Sequence, residues 1–155
     1  MYYEITMLKD LAKYKRNIGK LAEIIKLYAI KSFNPSRTKN GTFGQFDVLL
    51  QMINFRERLD FYVSEIMQAL SMLKPSYRAL LKKVYVQGVA KTAIAKKYHV
   101  SVATVYRKIH RARNDFRRIL HKLGYTEEWF NNFTNEEDDY VNVDVPYSCF
   151  CASYF

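Results

Sequence analysis

LSMLKPSYRALLKKVYVQGVAKTAIAKKYHVSVATVYRKIHRARNDFRRIL, residues 70 to 120, decides the fold. Within it, TAIAKKYHVSVATVYRKI puts Ile94, Val100, Val105 and Ile109 at spacings that let two short helices pack, with Ala95 where the first must pass close to the second. His99 and Val100 turn the chain, and Ser101 stands where a hydroxyl caps the following helix. The pattern is a helix-turn-helix, whose first helix spans about 91–98 and whose second runs from 102 to about 123, with Gly124 as its C-cap.

Upstream, Lys74-Pro75 opens a helix, because proline is tolerated in a first turn and biases the residue before it away from the helical state. Leu80, Leu81, Val84 and Tyr85 give that helix a buried face, and Gly88 stops it. Residues 4 to 32 predict a long helix, with Leu8, Leu11, Ile18, Leu21, Ile25 and Tyr28 on one face beside Lys9, Lys13, Lys15, Arg16, Lys20 and Lys26. Pro, Gly and Asn break the pattern, giving a loop over about 33–46, after which Asp47 caps a second long helix reaching about residue 72. Its seam, Val48, Met52, Phe55, Leu59, Tyr62, Ile66, Ala69 and Leu73, alternates steps of four and three as in a coiled coil and needs a partner. Either the first helix folds back on it as a hairpin, or two copies of the chain associate.

The expected fold is therefore all-α. It comprises a helical arm over 1–72, a helix-turn-helix domain over 73–124, and an acidic, partly disordered tail over 125–155. In the tail, Thr126 can cap a short helix holding Trp129 and Phe130, and residues 140–145 alternate like a strand with no obvious partner. That stretch reads as disorder, as a docking segment, or as an acidic cover for the basic surface.

Charge sharpens the reading. Residues 74–123 hold fourteen Lys and Arg against one acid, Asp115, and the formal net charge of +10 divides into +17 on residues 1–124 and −7 on residues 125–155. A basic helix is usually only a solvated face, but one presented by a helix-turn-helix points to a polyanionic partner, duplex DNA. Helical spacing selects Val102, Ala103, Tyr106, Arg107 and His110 as the groove-facing set, with Val105 and Ile109 turned inward. Arg107 can make two hydrogen bonds to guanine, and Val102 and Ala103 are small enough to approach a thymine methyl. Lys91, Thr92, Thr104, Lys108, Arg111 and Arg113 are the candidate phosphate contacts, which hold register without setting sequence preference.

These residues resemble region 4 of the bacterial sigma factors and the phage-encoded regulators that share its helix-turn-helix. Carrying the likeness are Leu73-Lys74-Pro75, Tyr85-Val86-Gln87-Gly88, Ile94-Ala95, the run from Ser101 to Val105 that opens the second helix, and the run from Ile109 to Arg113. At the turn, His99 replaces the frequent Gly and adopts a positive φ less readily than Gly. Residues 1–69 show no counterpart to the promoter-melting region of a complete sigma factor, and small phage late-gene activators, the ArpU-like group among them, are closer in size and layout. The resemblance implies a sequence-specific transcription regulator acting with host RNA polymerase, possible as a homodimer reading two half-sites. The alternatives are a sigma-like polymerase subunit or a small terminase-like protein that recognises phage DNA for packaging.

Other classes find little support. No Gly-rich phosphate loop, nucleophile motif, His-x-x-x-His or Cys-x-x-Cys occurs, so neither an enzyme nor a cofactor is expected. His110 and His121 share a helix face, but at about 1.5 Å per residue they are too far apart to hold one metal ion. No stretch approaches the roughly 20 apolar residues of a membrane span, and MYYEITMLKD lacks the marks of a signal peptide. A cytoplasmic location in a bacterial host cell, at the nucleoid, is expected, with Cys149 and Cys151 as reduced thiols. The 13 Tyr and 10 Phe exceed what the helix-turn-helix can use, and some must fill a core elsewhere.

Overall fold

The computed structural model describes residues 2–32 and 41–141. Among them the secondary structure is helical: α1 (Tyr3–Ser32), α2 (Gly41–Ser71), α3 (Pro75–Leu81), α4 (Lys91–Lys97), α5 (Val102–Lys122) and α6 (Glu127–Val141). α3 widens at its end into a single π turn, Lys82–Val86, closed by the Gln87 N–H donating to the Lys82 carbonyl at 2.9 Å. Pro75 stands in the first turn of α3, where its missing N–H costs nothing, and Gly88 leaves the π turn at φ 67°.

α1 and α2 pack as a hairpin. The seam finds its partner inside the chain: Met52, Leu59, Tyr62, Ile66, Ala69 and Leu73 of the seam are buried, as are Leu8, Leu11 and Leu21 of α1. Two expectations need correction. α2 begins at Gly41, so Asp47 lies inside the helix and caps nothing, and the predicted loop loses residues 41–46.

The second correction concerns the tail. Residues 127–141 form one continuous helix, longer than the short helix expected, and Tyr140 and Val141 are helical rather than extended. Residues 142–145 of the predicted strand lie outside the described residues. Thr126 caps α6 as expected, its Oγ1 accepting from the Trp129 N–H at 3.3 Å, while Glu127 and Glu128 favour the positive end of the helix. Aromatic packing holds it in place. Tyr62 of α2 stacks on Phe133 (centroids 4.7 Å apart) and on Trp129 (6.1 Å), and meets Tyr14 of α1 edge-on at 5.2 Å. Such pairs add roughly 0.5–1.5 kcal/mol each beyond their buried area, which accounts for part of the aromatic surplus. Above this layer, the Tyr125 hydroxyl donates to Glu65 Oε2 at 2.7 Å; burial and this carboxylate push the Tyr125 phenol up to about 12.

The main core joins α1, α2, α6 and the second half of α5 through Ala112, Phe116 and Leu120. A smaller cluster, Ile94, Ala95, Val105 and Ile109, joins α4 to the first half of α5.

Candidate nucleic-acid interface

Local backbone chemistry builds the turn between α4 and α5. His99 takes φ 51°, the left-handed conformation that often calls for Gly in this position, and the Val100 N–H returns to the Ala95 carbonyl at 3.1 Å. Ser101 then caps α5: its Oγ accepts from the Thr104 N–H at 3.1 Å and pairs with Thr104 Oγ1 at 2.8 Å. With Val105 and Ile109 only 2% and 4% exposed, rotation of α5 about its own axis is fixed. The opposite face is thereby presented to solvent.

That face carries all five residues of the expected groove-facing set. Val102, Ala103, Tyr106, Arg107 and His110 are exposed, Val102 at 38% and Tyr106 at 53%. Tyr106 lies partly against the motif: the Lys91 Nζ of α4 stands 4.5 Å from its ring centroid, a cation–π contact that ties the two helix starts together. His110 Nε2 accepts from Asn114 Nδ2 at 3.2 Å, which orients the imidazole at the end of the set.

Among the candidate phosphate contacts, Thr92, Lys108 and Arg111 are exposed and Lys91 and Thr104 are half-buried, but Lys108 lines a cleft with Tyr98, Val100 and Val105, apart from the one that Lys91 and Thr92 share with Val102 and Tyr106. Arg113 does not join them. Its guanidinium turns inward and bonds Glu4 Oε1 at 2.9 Å, with the side chain 17% exposed and the Tyr2 ring lying 4.3 Å from Cζ. Arg117, one turn on, reaches both Glu4 oxygens at 2.9 and 3.0 Å. Glu4 itself is 1% exposed. Burial works to raise its pKa, but the hydrogen bonds from Arg113 and Arg117 outweigh it and hold the carboxyl below its ordinary value. Sequence reasoning missed this triad. Glu4 offered only the signal of an acid in a first helical turn, and its partner lies 109 residues away.

Also outside the expected set is the pair Lys83–Tyr98. The Lys83 ammonium donates to the Tyr98 hydroxyl at 2.7 Å and draws that phenol below its ordinary pKa. The link braces the end of α4 on the π turn, behind the presented face.

Among the described residues no group of His, Cys, Asp and Glu is arranged to hold a metal ion, and no helix is long and apolar enough to cross a membrane. The presented face combines Val102, Ala103, Tyr106, Arg107 and His110 as exposed neighbours on one side of α5.

Neither a curated protein nor a solved structure matches the chain. Residues 64–116 match the family described as sigma-70, region 4, which takes in the last two turns of α2, all of α3 and α4, and α5 as far as Phe116. Over residues 64–116 the geometry and the match agree on a helix-turn-helix like that of sigma-70, region 4, which supports a DNA-binding role in transcription.

Proposed function

We propose that this chain is a sequence-specific transcription regulator of duplex DNA, a phage or prophage late-gene activator that works with host RNA polymerase. The observation carrying the reading is the outward face of α5, where Val102, Ala103, Tyr106, Arg107 and His110 share one exposed surface while Val105 and Ile109 are locked beneath. Arg107 reads guanine, and Val102 and Ala103 lie against a neighbouring base. Lys91, Thr92, Thr104, Lys108 and Arg111 hold the phosphates, while Arg113 serves the fold. Partnership with polymerase is favoured by the region 4 match, which equally suits a sigma-like subunit that needs no other sigma factor. The seam of α2 is occupied within one chain, so a homodimer would have to use outer surfaces such as Leu27, Ile30, Phe46 and Leu50.

Mapping of bound DNA across a host genome carrying the gene tests the reading. One site upstream of late genes, with transcription there depending on the protein, is the expected result. Transcription reconstituted from polymerase and this chain alone would favour the sigma-like subunit, and occupancy without sequence preference would overturn sequence-specific regulation.

A further inference from the structure

The basic side of α1 has no role in the helix-turn-helix, yet it is continuous with it. Lys9, Lys13, Arg16 and Lys20 follow steps of four, three and four, which places them on one line along a helix, and all four are exposed. This line lies opposite the buried Leu8, Leu11 and Leu21. At its start, Lys9 lines a cleft together with Lys91, Thr92, Val102 and Tyr106, so the stripe opens on the same side of the molecule as the groove-facing set.

Direction matters as much as side. Glu4 pairs with Arg113 and Arg117, whereas Lys9 lines a cleft with Val102 and Tyr106 of the first two turns of α5, so α1 runs against α5. Lys13, Arg16 and Lys20 therefore continue past the N-terminal end of α5, the end that carries the base-reading residues. At about 1.5 Å per residue the stripe is about 16 Å long, the length of about five base pairs at 3.4 Å each. A row of cations this long, beginning in the reading cleft and extending beyond it, matches the phosphates of a duplex that continues outward from the recognised element.

We propose that Lys9, Lys13, Arg16 and Lys20 form a second DNA-binding surface that grips the phosphate backbone of flanking duplex, independent of its sequence. Resting on the DNA-reading role of α5, it adds a footprint on one side of the site. The stripe thus supplies affinity and salt dependence, while α5 supplies the choice of site.

The test uses the full chain and two duplexes carrying the same selected core site, one trimmed to the core and one extended by about ten base pairs on each side. Wild type should bind the extended duplex at least tenfold more tightly. Lys13→Ala, Arg16→Ala and Lys20→Ala combined should abolish that gain, leave the core duplex nearly unchanged, and lower the slope of log K against log salt by about 0.9 for each phosphate no longer neutralised. Alanine is the best helix former, and circular dichroism checks that α1 persists. Lys15→Ala, Lys26→Ala and Lys122→Ala combined remove the same charge away from the stripe and should keep the gain. Equal affinity of wild type for the two duplexes, or equal loss of the gain in both triple variants, overturns the proposal while leaving base reading by α5 intact. A wild type that selects no core site at all overturns both.

Discussion

The two halves of α5 share a helix but live in different environments. In the first half only Val105 and Ile109 are buried, in a four-residue cluster whose neighbours Leu80, Val84, Tyr85, Val89 and Val100 are themselves half-exposed. In the second half Ala112, Phe116 and Leu120 are each 0% exposed and enter the main core with α1, α2 and α6. A helix made only for reading a groove would not need the second half. Here it anchors the first, so that the exposed side chains at the start of α5 project from an element held in the main core. The ion triad belongs to the second half: Glu4 captures Arg113 and Arg117 for the anchor, while Arg118 and Lys122 of the same half stay exposed.

The comparison breaks first at Phe116. Phe116→Ala should cost about 3–5 kcal/mol by removing a fully buried ring from the main core, whereas Ile109→Ala should fall near the low end of the roughly 2–5 kcal/mol range because its neighbours can collapse or hydrate. Urea unfolding followed by far-UV circular dichroism measures both. Equal costs would mean that the halves are not energetically distinct.

Glu4→Gln should come next, at about 2 kcal/mol, below the roughly 3–5 kcal/mol of a fully buried broken pair because Arg117 remains 39% exposed to water. Its pH dependence fixes the sign. A depressed folded-state pKa contributes stability that is complete above the unfolded value near 4.5 and disappears as pH falls through the lower folded value. Wild type and Glu4→Gln should therefore converge in acid, below pH 4.5, and differ at neutral pH; a gap that persists in acid would assign the effect to packing instead.

The smallest effect on stability belongs to the reading end. Ser101→Ala removes the cap of α5 and should cost about 1 kcal/mol. Hydrogen exchange at Thr104 and Val105 should accelerate while amides around Phe116 stay protected, since the cap is remote from the main core. Uniform acceleration along α5 would show that the helix opens as one unit.

What the sequence disclosed follows the range of the interactions. The His99 turn, the Ser101 cap and the positive φ of Gly124 are local backbone chemistry and were legible directly. So was the split between the exposed Val102, Ala103, Tyr106, Arg107 and His110 and the buried Val105 and Ile109, because one periodicity places both. α6 was obscured by composition: seven acids in residues 125–155 suggested a solvated tail, although Trp129, Phe130 and Phe133 already stood at helical spacing. Asp47 misled because a preference worth about 1 kcal/mol for a helix start is weak enough for the helix to begin six residues earlier, at Gly41. The Glu4 triad and the cleft shared by Lys9 and Tyr106 depend on where α1 lies against α5, which no local pattern encodes.

The central claim is that the outward face of α5 chooses the DNA sequence, and Arg107 tests it most directly. Binding of wild type and Arg107→Ala should be measured by titration at one fixed salt concentration, on a duplex bearing the selected site and on a random duplex of equal length. Loss of about 1–3 kcal/mol on the selected site, relaxed preference at one base pair, and unchanged affinity for the random duplex are predicted. The same fractional loss on both duplexes would make Arg107 one more phosphate contact and would contradict the account.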